Sequence, residues 1–82
     1  RLQNKDLLRT LKTLIHKNSQ AQKYIETINT YIEENQEVSK TAERLKVHRN
    51  TIQKRFESIE QITGLNPGKF KDLMLLHMIL KS

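Results

Sequence analysis

The sequence predicts an all-α fold, a small bundle of about five helices, and three observations predict it. Apolar residues recur at three- and four-residue steps along most of the chain, which is the period of a helix face. Only two Gly and one Pro occur in 82 residues, too little punctuation for a many-stranded sheet. No stretch alternates apolar and polar residues as a half-buried strand does. The length sets one domain with one small core.

Each helix has its own signal. Leu7, Leu8, Leu11, Leu14 and Ile15 form the first apolar stripe, over roughly Asn4 to Lys17. A second stripe, Ala21, Ile25, Ile28 and Ile32, keeps the same register. Two readings follow. One is a single long helix with Asn18 at a seam. The other is a break at Asn18–Ser19, with Ser19 and Gln22 forming a capping box. The break is preferred, because Asn-Ser is weak helix material. The second helix ends near Glu34 or Asn35. Ser39 is the expected N-cap of a short third helix, about Lys40 to Lys46, with a turn at Val47 and His48. The fourth runs from about Arg49 to Ile62, and Gly64 sits where a left-handed cap belongs. Asn66 is expected to cap a fifth helix with Pro67 in its first position. That helix reaches about Lys81 and is apolar around most of its circumference, through Phe70, Leu73, Met74, Leu76, His77 and Leu80.

Composition narrows the function. The net charge is +6, from 15 Lys+Arg against 9 Asp+Glu, which points to a polyanionic partner. There is no Cys, so disulfides and thiolate metal sites are excluded. The longest apolar run, Leu73 to Leu80, is interrupted by His77 and falls short of the roughly 18 residues of a membrane span. His16, His48 and His77 are too scattered for a compact metal motif. No nucleophile has a plausible base beside it, and no Gly-rich phosphate loop occurs. An enzyme is therefore the least supported class, and no cofactor or metal is expected.

The segment Ser39 to Thr63 reads as a helix-turn-helix. Small Ala42 allows close helix crossing, and Leu45 and Val47 frame the turn. Ile52, Phe56, Ile59 and Thr63 share one stripe of the second helix. Asn50, Gln53, Lys54 and Glu57 lie on the opposite face, about 140° away at the helical angle per residue. One face thus holds the helix while the other presents donors to a major groove. Arg pairs with guanine in two places, and Asn or Gln with adenine. Arg49, Asn50, Gln53 and Lys54 are the candidate base readers. Glu57 repels phosphate, so only the N-terminal half of the helix should lie deep. Ser39, Lys40, Thr41, Lys46, His48, Thr51 and Arg55 are the candidate phosphate contacts. From Lys40 to Arg55, six cations face one acid, Glu43, a local net +5.

The run TAERLKVHRNTIQKRFESIEQITGL, Thr41 to Leu65, closely resembles the C-terminal helix-turn-helix of the PucR/CdaR family of bacterial transcription regulators. Thr41, Ala42, Leu45, Val47, His48, Arg49, Asn50 and Thr51 carry the first part of that pattern. Arg55, Phe56, Ile59, Glu60, Thr63, Gly64 and Leu65 carry the second. YIETINTYIEEN upstream and LMLLHMIL downstream are also similar, so the match spans about Tyr24 to Leu80. Lys54 departs from the family, which often has an aromatic residue there. The resemblance implies a cytoplasmic regulator whose sensing portion lies upstream, and Arg1 in place of Met agrees with a fragment. On this reading residues 1–20 are a helix and linker to that missing region. Residues 39–63 are the helix-turn-helix, and 66–81 the C-terminal core helix.

Blander readings stand beside these. Arg49, Asn50 and Lys54 could form a solvated face. His48 could cap the fourth helix instead of touching DNA. Arg55 could pair internally with Glu60 or Glu26, and Thr51 could pack locally. His77 reads as a packed, satisfied histidine. The stripes at Leu7–Ile15 and Leu73–Leu80 read as core, with enough apolar surplus for a dimer contact. The expected partners are double-stranded DNA and, in the full-length protein, a second copy. No membrane and no small-molecule ligand is expected for this fragment. The competing functions are a Fis-like architectural DNA binder with little sequence preference and a helical dimerisation module.

Overall fold

A computed structural model describes residues 4–81, with side chains from residue 9 onward. It contains α1 (Asn4–Lys17), α2 (Ala21–Glu33), α3 (Val38–Leu45), α4 (Arg49–Thr63) and α5 (Phe70–Lys81), and no strand among the described residues. The side chains of Leu7 and Leu8 lie outside the described residues. The rest of the first stripe divides. Leu11 packs on the core and Ile15 is buried, whereas Leu14 is 43% exposed.

α1 and α2 are separate helices, and Asn18 makes the break. Its side-chain oxygen accepts from Gln20 N at 2.8 Å, and its carbonyl accepts from Ala21 N at 3.0 Å. An Asn side chain that folds back on the backbone in this way competes with helix continuation. The expected capping box does not form. Gln20, not Ser19, is the N-cap, and it makes no side-chain cap bond.

The link from α2 to α3 reverses through two left-handed residues, Asn35 (φ 56°) and Gln36 (φ 65°). Gln36 N donates to the Tyr31 carbonyl at 2.8 Å, which closes the end of α2. Glu37 then turns extended and serves as the N-cap, so α3 starts at Val38, two residues before the expected Lys40. Ser39 lies inside the helix and is not its cap. Arg44 ties α3 back to α2 by pairing with Glu33 and with Glu34, the latter at 3.2 Å. These carboxylates, Glu33 foremost, hold the guanidinium above its ordinary pKa.

α2 packs against all four other helices, and α4 carries the site. α4 touches α1, α2 and α3, while α5 closes the bundle against α1 and α2. Its stripe is buried as the period requires: Ile52, Phe56 and Ile59 are all at most 2% exposed. Each such side chain contributes ~1.5–3 kcal/mol by leaving water. The Phe56 ring meets Tyr31 edge-on, with centroids 4.9 Å apart at 72°. Gly64, at φ 78°, caps the helix and donates to the Glu60 carbonyl at 2.7 Å, as its position in the sequence predicts.

The start of α5 differs from expectation. The helix begins at Phe70, and residues 66–69 form a turn in front of it. Asn66 Oδ1 accepts from Gly68 N at 2.7 Å, so the Asn-Pro cap chemistry exists but closes a local turn. Two further bonds fix Asn66 elsewhere. Its N–H donates to Asp72 Oδ2 and its amide to Glu60 Oε1, both at 3.0 Å. Pro67 is fully buried. Of the apolar ring of α5, Leu73, Leu76 and Ile79 point inward at 0% exposure. Phe70, Leu75 and Met78 point outward at 60%, 42% and 56%. His77 is half-buried, and its Nδ1 is buried without a hydrogen-bond partner, not satisfied as expected.

Candidate nucleic-acid interface

α3, the turn at residues 46–48 and α4 form a helix-turn-helix. The turn is built from a strained residue. Lys46 caps α3 at φ 60°, and Val47 N donates to the Ala42 carbonyl at 3.0 Å. That bond pulls the chain tightly under the end of α3. Ala42, only 4% exposed, provides the close approach. His48 then turns extended and its Nδ1 accepts from Asn50 N at 3.0 Å. The helix cap is therefore formed through Nδ1, and it fixes where α4 begins.

With α4 so placed, Asn50, Gln53 and Lys54 are exposed on the side away from its buried stripe, and Arg49 is exposed at its N-terminal end. Glu57 continues that face toward the C-terminus. Lys40 and Lys46, on α3 and the turn, are exposed as well, as is Ser39. Lys40 sits 3.5 Å from Glu37 in an i,i+3 pair between two exposed groups, a weak restraint in water.

One expected phosphate contact, Thr41, lies in the core, and two, Thr51 and Arg55, lie on the flank of α4 that faces α2. Thr41 is fully buried and its hydroxyl donates to the Glu37 carbonyl at 2.7 Å, so it faces the core and not a ligand. Its sequence signal, a hydroxyl near a helix start, is shared by caps and by interior back-bonding residues. Arg55 is half-buried and donates to Thr27 Oγ1 at 3.0 Å. Neither of the acids anticipated as its partner takes that bond. Thr27, fully buried on α2, donates in turn to the Lys23 carbonyl at 2.6 Å. Thr51 is half-buried on the same flank of α4.

Arg44 counts among the six cations of the segment, but its pairing with Glu33 and Glu34 removes it from the free positive surface. The described ion pairs also include Lys40–Glu37, and Lys46, Arg49, Lys54 and Arg55 take part in none of them.

A groove that sequence spacing alone does not reveal runs between the first turn of α2 and α4. Gln20, Lys23 and Tyr24 line it from one side, and Thr51, Lys54, Arg55 and Ser58 from the other. The α4 half is legible as a three- and four-residue stripe. The α2 half becomes its neighbour only through folding.

Among the described residues, no helix is long and apolar enough to cross a membrane, and no group of three or more acidic or His side chains could hold a metal ion.

A family model described as the PucR C-terminal helix-turn-helix domain matches residues 24–82. The carbohydrate diacid regulator of Escherichia coli (strain K12) is 42% identical over 41 residues. That alignment covers 50% of this chain and 11% of the relative, so the chain spans a small part of that protein's length. No solved structure matches.

Proposed function

Because the chain belongs to the family of the PucR C-terminal helix-turn-helix domain, we propose that it is the DNA-binding part of a bacterial transcription regulator and reads duplex DNA in a sequence-specific way. One observation carries this. α4 buries Ile52, Phe56 and Ile59 while exposing Arg49, Asn50, Gln53 and Lys54 directly after a tight turn. The buried stripe fixes the helix, so the exposed donors are presented rigidly to base edges.

In this reading the N-terminal half of α4 enters the major groove. Arg49, Asn50 and Gln53 pair with bases, and Lys54 stands at the border of that face. Ser39, Lys40 and Lys46 hold the backbone phosphates, joined by the open side of His48. In the whole protein two copies bind half-sites about one helical turn apart, about 34–36 Å, by a two-fold axis. The protein acts in the cytoplasm and catalyses no reaction. The relative named as a regulator supports the transcriptional role.

Asn50→Ala tests the reading. Loss of a bidentate base contact should reduce discrimination between specific and random duplex by ~1–3 kcal/mol. Equal losses on both duplexes would remove Asn50 from base readout. Equal affinity of the unaltered protein for both would identify an architectural binder instead.

A further inference from the structure

The groove between α2 and α4 has a composition that the base-reading face does not explain. Three cations, Lys23, Lys54 and Arg55, and three hydroxyl side chains, Tyr24, Thr51 and Ser58, line it. No carboxylate is among the lining residues. Its volume is about 230 Å³, below the roughly 300–1,000 Å³ of sites that enclose a drug-sized molecule. Cations and hydroxyls without an acid form a donor set for an anion with several acceptor oxygens. The α2 end adds to this, since the first turn of that 13-residue helix carries no acid to offset its positive dipole end.

The site is also held in shape. Arg55 is fixed by its bond to buried Thr27 and spends one of its five donors there. Thr27 is itself anchored to the Lys23 carbonyl, so Arg55 on one wall is tied through a single buried hydroxyl to the backbone of α2 at Lys23 on the other. Lys54 belongs both to the groove and to the exposed face of α4, which makes the groove continuous with that face.

We infer that this groove binds a backbone phosphate of the DNA duplex, with Lys23 and Lys54 as its charge contacts, the hydroxyls as neutral donors and Arg55 as its floor. The inference rests on the DNA-binding reading and enlarges it. The interface then includes the start of α2, and α4 is gripped along its α2 side as well as at the turn before it. Lys54 serves the phosphate and not a base.

The test uses Lys23→Gln, a change at an exposed residue outside the helix-turn-helix, with Lys23→Arg as its charge-conserving control. Binding is measured on a specific and a random duplex across a salt series. The expected result for Lys23→Gln is a roughly tenfold loss on both duplexes at low salt. The slope of log K against log salt should flatten by about 0.9, the value for one phosphate contact. Lys23→Arg should restore both. Single methylphosphonate substitutions along the specific duplex should reveal one position whose neutralisation costs the unaltered protein more affinity than it costs Lys23→Gln, in which Lys54 and Arg55 remain. Unchanged affinity and slope in Lys23→Gln, with the unaltered protein binding duplex, would overturn the groove assignment and leave the DNA-binding reading intact. Failure of the unaltered protein to bind any duplex would overturn both. Saturable binding of inorganic phosphate in the groove, with duplex affinity indifferent to Lys23, would assign it to a free anion and overturn the inference.

Discussion

Lys46 holds φ 60° at the point where the chain reverses between α3 and α4. A side chain in that conformation costs about 1–2 kcal/mol, and glycine would avoid the cost. A lysine there is consistent with a use for its charge. Lys46→Gly should accordingly leave thermal stability within about 1 kcal/mol of the unaltered protein or raise it. It should weaken specific and random duplex alike. A melting curve beside a binding isotherm checks both halves. A large loss of stability would show that Lys46 holds the turn by contacts its charge does not explain. His48 and Thr41 show what a residue's identity does and does not reveal. The sequence leaves His48 open between cap and contact, because an imidazole accepts from a helix N–H as readily as it donates to a phosphate. The backbone position of Asn50 N shows that the cap forms. Thr41 reads as a surface hydroxyl because helix starts usually carry one there. Its burial depends on α3 beginning two residues earlier than the Ser39 signal indicates.

Among the elements, α4 is nearly complete in the sequence. Its stripe has three members of helical spacing, its end is marked by Gly64, and its donors fall opposite the stripe. α5 is less legible. Asn66-Pro67 carries a helix-start signal, yet Gly68 resists helix and Asn66 is engaged by both Glu60 and Asp72. Those two partners come from different helices, so local spacing does not weigh them. The break between α1 and α2 is legible as a break, but the side chain that makes it is Asn18, and the N-cap is Gln20 and not Ser19. The packing of α2 on α4 yields a prediction at this scale. Burial pushes the Tyr31 phenol above its ordinary 10.0. The unfolded chain therefore ionises this phenol first. Its contribution to stability is full below pH 10.0 and declines as pH rises from there through the folded-state value. Tyr31→Phe keeps the ring against Phe56 and removes the titration. Denaturant unfolding on either side of pH 10.0 should show a shallower alkaline decline in Tyr31→Phe. Parallel declines in the two proteins would assign the loss to other groups.

For the whole molecule, the charge that matters is not the sequence total. The net charge is +6, and the helix-turn-helix segment alone suggests +5. Folding redistributes this. Arg44 is neutralised by Glu33 and Glu34, while Lys23, remote in sequence, joins Lys54 and Arg55 in one groove. Arg44→Gln should thus leave the salt slope of DNA binding unchanged, and Lys46→Gln should flatten it by about 0.9. Equal effects of the two substitutions would mean that bulk charge and not this arrangement drives association. The central claim is that α4 reads base sequence in duplex DNA, and selection of bound duplexes from a random pool tests it most directly. The account predicts enrichment of one motif by the unaltered protein, recurring as an inverted repeat about one helical turn apart when two copies are joined. The same selection with Asn50→Ala should lose the preference at one position of each half-site. A pool that binds without enrichment, or an unchanged motif in Asn50→Ala, would contradict it.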